Sequence, residues 1–285
     1  MASLVPEIAF EEALGVEHVS GDPARRRRPR MRIWRGVVIF IAGMYFLLPL
    51  YAGLKFSLEN DSNQLSWYAI RAMPSETGFT AAFFLSIRLA AVTTVLTMVL
   101  MVPTAVYVHL KLPRMRRVLD FVTILPIVIP PIVLILGVLE AAPVWLKASP
   151  YLLSLVYVIL SLPFVYRALD AGLSAIDLRT LVEASRSLGG RSMSTLLHVL
   201  IPNLRAAMLS AVVLTIALVL GEFTMAQLDL WTTFPVWIFQ FSQQDGHIAT
   251  AASMISLIGT WLLLSLLVSV DRSQSRRSRR RIGAL

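Results

Sequence analysis

The sequence predicts an all-α polytopic membrane protein with six transmembrane helices and cytoplasmic N- and C-termini. Three observations carry this. Hydrophobic residues make up 56% of the 285 and charged residues 15%, for a mean hydropathy of +0.71, whereas about a quarter of a soluble protein is charged. Six apolar runs, roughly 33–54, 82–109, 118–139, 148–168, 203–224 and 248–270, approach the ~20 residues that a bilayer core requires. Of the 26 Lys and Arg, all but Lys55, Arg71, Arg88 and Lys147 fall in segments that an N-inside topology places in the cytoplasm, and such an asymmetry sets orientation.

In chain order, residues 1–32 read as a cytoplasmic tail, acidic up to about residue 24 and then carrying the basic cluster Arg25–Arg28. Ala9, Phe10, Ala13, Leu14 and Val16 are able to line a short amphipathic helix in an otherwise disordered segment. The first apolar run is too long for the core of a signal peptide and reads as a retained helix. Residues 33–271 form the membrane domain. Arg88 lies near the outer end of the second run, where a long side chain snorkels to the interface. Pro126 and Pro130-Pro131 kink or break the third. Carbonyls freed there must face protein or a wet cavity, never lipid, so the break is either a packing kink or the border of a solute path. Residues 272–285 are a basic tail, and Arg276 to Arg281 are drawn to anionic membrane lipid.

Several functions are excluded or unsupported. The net charge of +9 does not imply nucleic acid, because the basic residues sit at the ends of apolar runs rather than on one face. There is no cysteine, no G-x-x-x-x-G-K-[ST] nucleotide loop and no G-x-S-x-G. His18, His109, His198 and His247 are too dispersed for a metal site. Neither catalytic nor metal-ligating residues are expected, and an integral membrane enzyme has no constellation to support it. An ion-coupled secondary transporter would need paired charges within its spans, and these are nearly absent.

The most informative stretch is the polar interlude 177–202. Asp177 to Leu188 has the spacing of a short amphipathic helix, with Leu178, Leu181, Val182, Ser185 and Leu188 on one face. Gly189-Gly190 ends it, Ser192 or Ser194 caps a second turn, and Pro202 suits the opening of the next helix. The expected product is a helix–turn–helix elbow outside the bilayer. Its order of Glu183, Ala184, Gly189 and Pro202 resembles the cytoplasmic loop signature of permease subunits of binding-protein-dependent type I ABC importers, with Ser185, Val199 and Ile201 as departures.

That resemblance implies that the elbow docks on an ATP-hydrolysing subunit through Glu183, Ala184, Ser185, Arg186, Ser187, Leu188, Gly189 and Pro202. Glu183 would pair with an arginine of that partner or, locally, with Arg179 or Arg186. The implied assembly has two ATP-binding subunits that hold ATP and Mg, a second homologous permease and an extracytoplasmic solute-binding protein, all at a bacterial inner membrane. This chain itself would hold no cofactor and catalyse nothing.

A second stretch, Gly221-Glu222-Phe223, resembles the same helix in permeases for polyamines, iron, thiamine and oxyanions. Glu222, Asp229 and Asp245 are placed to attract a cation, and Trp231, Phe234 and Trp237 to cover it, with Phe223 a further candidate along the solute path. A polyamine such as spermidine or putrescine is the expected solute, with iron, thiamine, phosphonate or an oxyanion as the alternative. Against a solute role, Glu222 could pair with Arg88 or cap a helix, and the tryptophans could form an interfacial belt.

Overall fold

A computed structural model describes the backbone of residues 29–59, 62 and 64–282, and the side chains of 34–59, 62 and 64–269. The N-terminal tail with its Arg25–Arg28 cluster and the side chains of the C-terminal arginines therefore lie outside the described residues. The chain divides into two units, 1–50 and 51–285. Helices joined by short turns make up most of the described residues, with no β-strand among them and one isolated bridge between Glu59 and Leu65.

Among the described residues, four helices are long and apolar enough to span a bilayer. They are Trp34–Ser57 within α1 (Pro29–Ser57), α2 (Phe79–Lys111), and, after the bent pair α3 and α4, α5 (Tyr151–Ser174) and the Gly246–Ser269 part of the last helix. The third run is not a straight span. It folds as α3 (Arg116–Val128) and α4 (Pro131–Ala141), bent by 98°. The fifth run keeps a 17-residue helix, α8 (Arg205–Gly221), near the lower limit for spanning, and turns by 78° into the segment before it. The count is thus four, or six if each bent pair is one span.

Helices α2 and α5 hold the second unit together. The Thr93 hydroxyl donates to the Ser154 carbonyl at 3.4 Å, and Thr97 and Ser161 share a hydrogen bond of 3.2 Å. Residue numbers rise together along both helices, so they run parallel. Lipid is as apolar as leucine, so membrane helices associate through close packing and such hydrogen bonds. The buried stripe of α2, with Ala82, Ser86, Leu89, Thr93 and Thr97, recurs at steps of three and four. Helix α8 packs against α5 at Gly172, where a β-carbon would fall on the Ala207 side chain. Gly172→Ala should therefore force the helices apart and cost about 1–3 kcal/mol, read as a lower unfolding temperature in detergent, and Ala207→Gly should restore most of the loss.

Candidate functional site

The elbow is built from α6 (Leu178–Ser187) and α7 (Ser192–Asn203), which includes a π-turn over Leu196–Leu200. Asp177 starts α6, accepting from the Thr180 amide at 3.2 Å and the Thr180 hydroxyl at 2.7 Å, and these bonds hold its carboxyl below the usual range. Gly189 takes φ +81°, its amide donates to the Arg186 carbonyl and that of Gly190 to the Ser185 carbonyl. That pair of bonds is the Schellman closure of a helix. Gly190 has a further constraint that the sequence did not reveal: a β-carbon there would lie 2.7 Å from the Ser185 carbonyl oxygen.

One face of the elbow is buried. Leu178, Val182 and Leu200 share a core with Val165, Tyr166 and Leu169 of α5. Ser185 bonds Thr195 across the two limbs at 2.8 Å. Leu188 departs from the expected apolar face: it is the C-cap residue of α6, past the last helical turn, and is 90% exposed. Two other expectations fail locally. Arg191, with no side-chain cap bond, occupies the N-cap of α7 in place of Ser192 or Ser194. Pro202 lies near the end of α7 rather than opening α8. Its missing N–H falls beside the π-turn, and the chain breaks at Leu204.

Glu183, Ala184, Arg186 and Ser187 are all exposed, and among the described residues no ion pair joins Glu183 to Arg179 or Arg186. The exposed face therefore carries Glu183, Arg186, Leu188 and, from α7, Met193 and Leu197.

A charged knot that sequence reasoning missed joins α2, α3 and α5 just before the elbow. Arg116 of α3 grips Asp170 of α5 with two bonds of 2.6 and 2.7 Å and reaches Ser174 at 2.6 Å. His109 of α2 lies 3.1 Å from the same carboxylate, off the line of an N–H···O bond. The Tyr166 hydroxyl donates to the Arg116 carbonyl. The signal was present: Tyr166, Asp170 and Ser174 recur at four-residue steps on one helix face.

At the other end of α8, the candidate solute residues are engaged with the protein. The Glu222 carboxylate accepts from the Met225 amide at 3.0 Å, starting the short helix α9 (Thr224–Leu228), and from the Tyr157 hydroxyl at 3.0 Å. No ion pair joins it to Arg88 among the described residues. Phe223 meets Phe239 edge-on, and Trp231 packs beside the core that contains Tyr157. Trp237, in α10 (Phe234–Phe241), is 3% exposed; it stacks on Phe241 and donates its indole N–H to the Thr77 carbonyl. That burial leaves its ring within the protein core. Asp245 caps the last helix, α11 (Gly246–Ile282), by accepting from the Ile248 amide.

Asp229 closes α9, and its Oδ2 is buried without a hydrogen-bond partner among the described residues. Burial pushes its carboxyl up to about 6. The described residues contain no group of three His, Asp or Glu able to hold a metal ion.

The fold and its elbow define a multi-pass helical membrane protein, and its homologues are permease proteins of ABC transporters. A molybdenum ABC transporter permease of Haloferax volcanii is 29% identical over 270 residues, covering 86% of this chain and 95% of the relative. The molybdenum transport system permease of Mycobacterium tuberculosis is 28% identical over 233 residues, 74% of this chain and 88% of the relative. A permease named for 2-aminoethylphosphonate transport in Salmonella typhimurium is 29% identical over 160 residues, 54% of this chain and 60% of the relative. No protein-family profile matches the chain. These names give no support to the expected polyamine; they favour the phosphonate or oxyanion alternative.

Two outcomes follow from the geometry. Gly189→Ala meets no neighbour and should cost only the ~1–2 kcal/mol of a left-handed side chain. Gly190→Ala must displace backbone, so amide hydrogen exchange across 185–195 should accelerate more in that variant. For Asp229, the folded carboxyl near 6 lies above its ordinary 3.8, so its ionisation opposes folding and stability falls as pH rises through that window. Asp229→Asn should raise the unfolding temperature at pH 7.5, by less at pH 4.5, and not at all well below 3.8.

Proposed function

We propose that this chain is the permease subunit of an ABC importer for an oxyanion or a phosphonate. The observation that carries the reading is similarity across nearly the whole length of a molybdenum permease, joined by an elbow whose outward face bears Glu183, Arg186 and Leu188. In this reading both termini and the elbow 177–202 lie in the cytoplasm, 33–271 is the membrane domain, and the tails 1–32 and 272–285 flank it. The chain works with two ATP-binding subunits, which hold ATP and Mg, with a second permease and with a solute-binding protein outside.

The geometry supports a mechanical role. A contact transmits motion only if it stays docked and connects rigidly to the spans. Leu178, Val182 and Leu200 key the elbow into α5, and Asp170 pins α5 to α3. An ATPase that draws the elbow therefore moves these helices as one body. Glu183, lacking a local ion pair, is available to an arginine of that ATPase. Glu222, bonded to Met225 and Tyr157, holds the outer turn, and neither it nor the acidic Asp229 suits an anionic solute.

Burying Leu188 at a docking surface is worth roughly 1.5–3 kcal/mol, so Leu188→Asp should weaken association with the ATP-binding subunit at least tenfold, measured by co-purification and titration. The complete complex in vesicles should take up molybdate or 2-aminoethylphosphonate only with ATP. Uptake driven by an ion gradient in the absence of ATP would overturn the proposal.

A further inference from the structure

The break between α3 and α4 has a property that follows from three prolines. In a helix each carbonyl accepts from the amide four residues on, and for Pro126 and Ile127 those positions are Pro130 and Pro131, which have no N–H. Ile129 (ψ 122°) and Pro130 (ψ 136°) are extended, so the ladder stops, and the amides of Val133 and Leu134 turn to the Pro130 carbonyl instead. The carbonyls of Pro126, Ile127, Val128 and Ile129 are thus left with no hydrogen-bond partner among the described residues. The side chains of Ile127, Val128 and Ile129 are exposed, Val128 at 73%.

Depth makes this consequential. Arg116, at the foot of α3, is fixed to Asp170, and twelve residue steps place Val128 about 18 Å along the helix axis, inside a hydrocarbon core of about 30 Å. Unpaired carbonyls at that depth cannot face lipid. They also sit at a helix C-terminus, the negative end of its dipole. Four acceptors with that polarity repel a bare oxyanion and attract an N–H donor.

Building on the permease reading, we infer that the Pro126–Pro131 break lines the solute passage and that its carbonyls receive an ammonium group. The solute is then an anion that also carries a primary amine, such as an aminoalkylphosphonate, and not a metal oxyanion. The proline-free alternative, a continuous helix, would consume these acceptors internally and leave the passage apolar at this level.

The chain contains no cysteine, so Val128→Cys introduces its only thiol. In the complete complex with cysteine-free partners, that thiol should react with a membrane-impermeant maleimide, and 2-aminoethylphosphonate should slow the reaction at least fivefold while ethylphosphonate, which lacks the amine, does not. In vesicles, Pro130→Ala, which returns an N–H to the Pro126 carbonyl, should lower 2-aminoethylphosphonate uptake at least tenfold while ATP hydrolysis changes less than twofold. An unreactive thiol, equal protection by both phosphonates, or preferential uptake of molybdate would overturn the ammonium station and leave the importer reading standing. Absence of ATP-dependent uptake of any anion would instead remove the importer reading on which it rests.

Discussion

Peptide groups inside a bilayer have only one another as partners, and this constraint shapes nearly every part of the chain. It is why most of the described residues are helical and why α2 and α5 meet through Thr93, Ser154, Thr97 and Ser161 rather than through apolar contact alone. It also gives the irregular places their meaning. Where the ladder stops in the elbow, the Gly189 and Gly190 amides recover the last carbonyls. Where it stops at Pro130-Pro131, no such recovery takes place.

The elbow and the membrane helices form one mechanical piece because they share side chains, not merely a linker. Leu178 and Val182 enter the core of Tyr166 and Leu169, and Asp170 lies one turn along α5, gripped by Arg116. The same helix therefore receives the elbow on one side and α3 on another. Its outward partner, the opposite face of α6, contributes almost nothing to the fold itself: Glu183, Arg186 and Ser187 could all be changed without disturbing a buried contact.

Much of this was legible in the sequence for physical reasons. Long apolar runs and glycine pairs act locally, so the four long helices and the end of α6 fell where hydropathy and turn chemistry placed them. The acidic residues were harder. Glu222 reads as an intramembrane carboxylate, yet whether it meets a solute, an arginine or a backbone amide depends on Met225 and Tyr157, and Tyr157 is remote in sequence. Asp170 escaped because its partner Arg116 lies 54 positions away. Leu188 had the right periodicity for burial, but it is the C-cap residue of α6, past the last helical turn, where that periodicity no longer applies. The proline break was visible, but its 98° angle depends on how α4 packs over the outer core.

Leu188 also bears on the fate of a copy that meets no partner. A leucine at 90% exposure beside Met193 and Leu197 is an oily handle on an otherwise polar knuckle, the kind of feature that holdase chaperones and quality-control proteases grasp. Under the proposed assembly, a copy that meets no ATP-binding subunit would keep that surface uncovered and open to such triage.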